Sequence, residues 1–177
     1  NINESLFCAL ELSSSSILVT YSDIVFERKI IQQMLEIMNG IGLAVSLDWK
    51  KRYQNRKMHT LAEAENVLVE NGRILQIRKN ISKSLENQQI GEFLGIMMLS
   101  PEHVKIMLER YFYLKKNHTG AFHDSSSLSN AYITDMLQDA INCGINVNPI
   151  FTEGKWCEID TPEDLKNAEK IINKFQS

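Results

Sequence analysis

The sequence predicts an α/β domain with a mixed, mainly parallel sheet, flanked by helices and carrying a β-hairpin insertion. Three observations predict it. Short apolar runs rich in β-branched residues alternate with segments of helical period. An Asn71-Gly72 pair joins two such runs. The 177 residues, 44% hydrophobic and 23% charged, suit one globular core and exclude disordered and low-complexity classes. Positions 1–177 are read as a single domain.

The first element is a helix over 4–12, with Leu6, Phe7, Leu10 and Leu12 near helical spacing and Asn3 placed to cap it. Positions 17–21 form a buried type of strand closed by Ser22-Asp23, and the spacing of Val25, Ile30, Ile31, Met34, Leu35 and Met38 predicts a helix over 24–38 ended by Asn39-Gly40. A strand over 42–47 follows, then a polar excursion over 50–57. Strands over 66–70 and 73–77 flank Asn71-Gly72, whose residues both tolerate positive φ, so they form a hairpin. After a polar loop over 80–89 comes a strand over 92–99. Ser100-Pro101-Glu102 then supplies the N-cap, first-turn Pro and acid of a helix over 101–114. The stretch 115–129, with His118, His123 and several serines, reads as a mobile surface loop. A helix over 131–142 ends before Gly144, and strands over 145–151 and 155–159 meet at Thr152-Glu153-Gly154. Thr161-Pro162-Glu163-Asp164 opens a last helix with Leu165, Ala168, Ile171, Ile172 and Phe175 on one face.

Charge and cysteine content narrow the function classes. With 19 basic against 22 acidic residues, the chain lacks the basic excess of a nucleic-acid binder, while a small phosphorylated substrate stays compatible. Cys8, Cys143 and Cys157 show no CxxC spacing, which suggests neither a disulfide framework nor a zinc knuckle and fits a reducing, cytoplasmic setting. No run of about 18 apolar residues marks a membrane span. His118, His123 and Asp124 lack a third firm ligand for a metal, and His59 and His103 offer nothing specific. Cys157 reads as a packed thiol, and Met34, Met38, Met97, Met98 and Met107 as core filling.

Two acids stand at strand ends, where open α/β sheets bind ligands. Asp23 and Asp160 each follow a predicted strand and precede a predicted helix. Such a pair suits a Mg2+ ion, which takes one or two carboxylates beside substrate phosphate oxygens. Each acid also suits a helix N-terminus, through capping and the dipole, which is the commoner reason for an Asp there, and spacing alone does not decide.

The stretches Asn3-Glu4-Ser5-Leu6, Tyr21-Ser22-Asp23-Ile24-Val25-Phe26, Gly91-Glu92-Phe93-Leu94-Gly95 and Trp156-Cys157-Glu158-Ile159-Asp160-Thr161-Pro162-Glu163-Asp164-Leu165 occur in the order seen in cytidylyltransferase-like nucleotidyltransferases. The chain resembles that family from its first residue to nearly its last. The run from Ala44 to Trp49 and Glu63-Ala64-Glu65-Asn66-Val67 look most like the nucleotidyltransferase domains attached to phosphoenolpyruvate mutases and the 2-aminoethylphosphonate cytidylyltransferases, with bacterial phosphocholine cytidylyltransferases next. The resemblance implies a Rossmann-like nucleotidyltransferase domain that moves a cytidylyl group from CTP to a small phosphonate or phosphate with release of pyrophosphate. Asp23 and Asp160 would be its catalytic, Mg2+-binding acids. It also implies a fused or neighbouring phosphoenolpyruvate mutase domain, with a homodimer as a further expectation.

On the acceptor side the resemblance places aromatics at Trp49 and Tyr132, where an aminoethyl or choline cation would rest against a ring; core packing explains both equally well. Asp135 and Glu158 suit an ammonium, and Arg56, with Lys50, Lys51 and Arg52, suits the phosphonate, although a solvated charged loop explains such a run too. The family opens on a strand, a glycine-rich loop and a Pro-Lys pair that hold the triphosphate. None of these occurs in this sequence, and Gly40-Ile41-Gly42 reads as a helix stop. The expectation is therefore the later portion of a larger domain, with apolar sheet surface left uncovered and self-association as the consequence. The alternatives are a phosphocholine or sugar-phosphate nucleotidyltransferase and a non-catalytic module that has lost the nucleotide loop.

Overall fold

The computed structural model describes residues 2–37, 39–54, 56–81, 85–152 and 155–172, the side chains of Ile2, Ile171 and Ile172 excepted. Met38, the turn at Glu153-Gly154 and Phe175, each named above, lie outside the described residues.

In chain order the elements are α1 (Ile2–Glu11), β1 (Ile17–Thr20), β2 (Ile24–Phe26), α2 (Arg28–Leu35), β3 (Ile41–Ser46), β4 (Glu65–Glu70), β5 (Arg73–Lys79), β6 (Gln88–Leu99), α3 (Pro101–Asn117), α4 (Ile133–Asn142), β7 (Val147–Phe151), β8 (Trp156–Glu158) and α5 (Pro162–Ile172). The main sheet runs β5-β4-β6-β3-β7, with β1 also on β6. It is mixed: β3 and β7 are parallel neighbours, the pairings of β6 are antiparallel, and β1, β3, β4 and β7 share one direction.

Strand alternation sorts the core into two layers. Leu43, Val45, Phe93, Met97 and Leu99 face α1, α3 and α4, where Phe7 stacks on Tyr111 with ring centroids 4.1 Å apart. Ala44, Leu94, Ile96 and Met98 face the other way, onto Ile30 and Met34 of α2 and onto Trp156. The methionines at 34, 97, 98 and 107 are buried, as expected of core residues.

The hairpin forms as the sequence predicts, with Asn71 at φ 50° and Gly72 at φ 75° between β4 and β5. Other expectations need correction. The helix expected over 24–38 is a strand followed by a shorter helix, because Val25 stands five residues ahead of Ile30, off the helical stripe, and pairs instead with Cys157. The strands expected on either side of Thr152 both form, each shorter than expected, and take different partners: β7 joins β3, whereas β8 joins β2 in a separate ribbon. Asn3 lies inside α1 with Nδ2 donating to the carbonyls of Ala131 and Tyr132, so it does not serve as the expected cap. Leu165 is exposed because Asp164 takes the inward position on α5. Within 115–129, α3 runs on to Asn117, Phe122 enters the core, and Ser125 bonds Asp135 across the loop, so the expected surface loop is anchored at its centre.

β1 and β4 lie end to end along the same side of β6. Thr20 pairs with Ile96 and Asn66 with Glu92, and the Gly95 carbonyl accepts the Tyr21 N–H at 2.8 Å, which leaves Phe93 and Leu94 opposite the gap. Gly95 adopts φ 66°, and a Cβ there would stand 2.5 Å from the Tyr21 ring. A side chain at that position would close the gap. β6 also advances four residues there while β3 advances two, from Leu43 opposite Met97 to Val45 opposite Phe93, so a bulge re-aims the strand beside the opening.

Candidate functional site

The two strand-end acids meet because of the ribbon. Asp23 immediately precedes β2, Glu158 ends β8, and the antiparallel register sets Ile24 opposite Glu158, with the Ile159 N–H donating to the Asp23 carbonyl at 2.9 Å. An antiparallel pair puts the residue before one strand beside the residues after the other. Neither acid caps a helix. Glu27 occupies the N-cap position of α2, and α5 starts on a Thr161–Asp164 capping box in which the Asp164 N–H donates to Thr161 Oγ1 and the Thr161 N–H to Asp164 Oδ2. The capping explanation therefore fails for both.

Asp23, Glu158 and Asp160 line one rim of an open cavity of about 680 Å3. His59 joins them, with Nδ1 2.8 Å from Asp160 Oδ2 and Nε2 3.5 Å from Glu158 Oε2. One ligand atom from each of His59, Glu158 and Asp160 falls within 4.8 Å of the others, and Asp23 Oδ1 is buried without a hydrogen-bond partner among the described residues. Burial, with the charges of Asp160 and Asp23, pushes the Glu158 carboxyl up to about 7 against the pull of Arg56.

The cavity floor is the gap along β6. Glu65, at the start of β4, accepts from Tyr21 Oη at 3.2 Å and Thr134 Oγ1 at 3.3 Å. Glu92, 4% exposed, accepts from Tyr53 Oη through Oε1, while its Oε2 has no hydrogen-bond partner among the described residues. Burial lifts Glu92 to about 8; Glu158 and Glu65 push the same way, and the Tyr53 hydroxyl and Arg56 oppose it. The walls are apolar and aromatic, with Phe93, Leu94 and Trp156 among them, and Lys79 stands on the wall paired with Glu63 at 2.8 Å.

The polar excursion after β3 builds the side of the cavity. Glu163 receives the N–H groups of Lys57 and Met58, and Arg56 Nε donates to Asp164 Oδ1 at 2.7 Å, with its Nη2 3.6 Å from Glu158. These ties to α5 deliver Tyr53 and His59 to the cavity. Arg56 is thus buried behind the site and orients Glu158, so it is not placed to meet a phosphonate in the cavity. Lys50, Lys51 and Arg52 do not line the cavity either.

Two further acceptor-side expectations are corrected. Trp49 is buried against Tyr53, its indole N–H donating to the Ile90 carbonyl at 3.3 Å, and it stays out of the cavity. Asp135 is the buried N3 residue of α4; it accepts from Ser125 Oγ and from the N–H groups of Tyr132 and Asp124, which occupies its oxygens. Tyr132 does lie on the cavity rim, 61% exposed, held from behind by Asn3. Of the residues named from sequence, the structure gathers Asp23, Asp160, Glu158 and Tyr132 at the cavity. It adds Tyr21, Tyr53, His59, Glu65 and Glu92. Glu92 carried two sequence signals, its place in the Gly91-Glu92-Phe93-Leu94-Gly95 stretch and a lone charge in the apolar strand run 92–99; His59 carried none.

Comparison with solved structures identifies the architecture. The inositol-1-phosphate CTP transferase from T. maritima superposes over 99% of this chain at a TM-score of 0.66 and 20% identity. A Bacillus anthracis structure described as a glucose-1-phosphate thymidylyltransferase superposes over 97% at 0.63 and 14% identity. The chain has the nucleotidyltransferase fold. A curated Campylobacter jejuni protein, CTP:phosphoglutamine cytidylyltransferase, is 24% identical over 172 residues and matches 94% of this nucleotidyltransferase-fold chain, which supports kinship with the cytidylyltransferases. The chain spans 66% of that relative and 62% of the T. maritima structure. No family model matches it. Among the described residues, no helix is long and apolar enough to cross a membrane.

Proposed function

We propose that this chain carries the metal and acceptor side of a cytidylyltransferase that moves the cytidylyl group of CTP onto a phosphate or phosphonate oxygen of a small acceptor. The new bond joins the acceptor oxygen to the α-phosphorus, the bond from that phosphorus to the β-phosphate bridge breaks, and pyrophosphate leaves. Asp23 and Asp160, remote in sequence, reach one cavity rim without capping a helix, and that convergence carries the assignment. The relatives that act on CTP by name support the choice of nucleotide.

The rim fits a hard divalent cation such as Mg2+. Asp23 offers a buried oxygen without a hydrogen-bond partner among the described residues, and Asp160 and Glu158 offer oxygens a few ångströms apart. When bound, the ion neutralises charge on the transferring phosphoryl group. The protein's own part is positioning. Asp23 and Asp160 hold the ion, His59 fixes the Asp160 carboxylate through its 2.8 Å contact, and Arg56 fixes Glu158 from behind. The acceptor oxygen is already anionic, so the step asks for no strong base. The acidic floor and aromatic walls support an aminated acceptor, 2-aminoethylphosphonate before phosphocholine.

The test is pyrophosphate release by the natural protein containing this chain, given CTP, Mg2+ and each acceptor in turn. Release that depends on the acceptor supports the proposal, and faster release with 2-aminoethylphosphonate supports the finer substrate. A folded protein that binds CTP yet releases no pyrophosphate with either acceptor refutes this substrate class; one that binds no CTP refutes the enzyme assignment.

A further inference from the structure

We propose that Glu92 is the specificity-determining residue of the acceptor end, and that its buried Oε2 takes an N–H from a primary ammonium carried by the acceptor. This deepens the assignment above and rests on it for the word acceptor.

The carboxylates at the cavity are otherwise engaged. Glu65 has one oxygen taken by Tyr21 and the other by Thr134. Glu158 and Asp160 face His59, with Arg56 behind Glu158, and Asp23 belongs to the metal rim. Glu92 differs in depth and in satisfaction. It is 4% exposed and lines the cavity, Tyr53 occupies Oε1, and Oε2 is buried with no hydrogen-bond partner among the described residues. A buried acceptor left unmade costs the fold its desolvation, so a donor supplied by a ligand restores what folding forfeits.

The field fixes the kind of donor. Asp23, Glu63, Glu65, Glu158 and Asp160 surround the cavity with Glu92, against Lys79, itself paired with Glu63. A cationic donor gains from that field as well as from the hydrogen bond and draws Glu92 into its ionised form, which frees Oε2 to accept, whereas a neutral hydroxyl gains from the bond alone. A quaternary ammonium has charge but no N–H to give, so Oε2 favours a primary ammonium over a trimethylated one.

The test is calorimetric titration of the natural protein, in Mg2+, with three probes: phosphoethanolamine, phosphocholine and ethyl phosphate, which has the same chain without the amine. Phosphoethanolamine is expected to bind at least tenfold more tightly than ethyl phosphate and severalfold more tightly than phosphocholine. In Glu92→Gln the first ratio falls to within about threefold, while Tyr53→Phe, which keeps the carboxylate, keeps a preference for the amine. Equal binding of phosphoethanolamine and ethyl phosphate by the unmutated protein overturns the proposal without recourse to any variant. An undiminished ratio in Glu92→Gln overturns it too. Amine-selective binding without turnover of CTP leaves Glu92 in place and removes the transferase assignment. Turnover that ignores the amine does the reverse.

Discussion

The two ends of the cavity hold carboxylates in opposite circumstances. At the rim, Asp23, Glu158 and Asp160 stand together on a two-stranded ribbon, partly open to water, with the His59 ring and the Arg56 guanidinium beside them. At the floor, Glu92 is buried and Glu65 half-buried, on different strands, each holding a tyrosine hydroxyl. Crowded, half-solvated acids suit an ion that arrives and leaves with substrate. An isolated, buried acid with one oxygen unspent suits the recognition of a single group. One cavity thus separates charge neutralisation from specificity.

The largest effect is expected at the rim. Asp23→Asn or Asp160→Asn in the natural protein should slow Mg2+-dependent pyrophosphate release by about a thousandfold, the scale of losing a principal electrostatic stabiliser. Thermal melting of Asp160→Asn should stay close to the unmutated value, because that side chain is a third exposed.

Gly95→Ala attacks the gap that joins the two ends. It forces a side chain into φ 66° with its Cβ 2.5 Å from the Tyr21 ring, and should destabilise the fold by about 2 to 4 kcal/mol in a denaturant titration.

The floor should declare itself through pH. Burial raises Glu92 from 4.5 to about 8, so the folded chain holds a proton that the unfolded chain has already lost in that window. Stability should therefore fall as pH rises from about 5 to 8. Glu92→Gln should flatten that decline and gain on the order of 2 kcal/mol over the unmutated chain near pH 8. Part of the slope should survive, because Glu158 titrates in the same direction, up to about 7. A variant with an unchanged slope would remove Glu92 from this role.

A smaller effect belongs to His59. It touches Asp160 and Glu158 but carries no sequence motif, and His59→Ala should weaken turnover about tenfold, as losses of groups that orient metal ligands do. Smallest of all, Arg78→Ala breaks an exposed pair with Asp124, 3.0 Å long, and should shift stability by less than about 1 kcal/mol.

What could be read from sequence was local. Asn71-Gly72 dictates its hairpin through φ alone, and the run Trp156 to Leu165 carries both an acid and the capping box beside it. The floor depended on contacts between distant strands. Nothing near Glu65 announces that β4 begins where β1 stops, nor that a bulge at Gly95 opens the space between them. Trp49 and Asp135 are ligand candidates by residue type, but they spend their polar atoms inside the fold, on the Ile90 carbonyl and Ser125, while Arg56 gives Nε to Asp164 and stands outside the cavity. Sequence shows which groups have chemistry to offer. Only the packing shows which of them still have it unspent.

The separation of rim from floor can be tested by titrating Mn2+ into the natural protein and following its paramagnetic resonance signal. The predicted result is one tight site that weakens at least tenfold in both Asp23→Asn and Asp160→Asn and changes less than about twofold in Glu92→Gln. Mn2+ binding that survives both rim substitutions, or that falls with Glu92→Gln as it does with Asp160→Asn, would contradict the account.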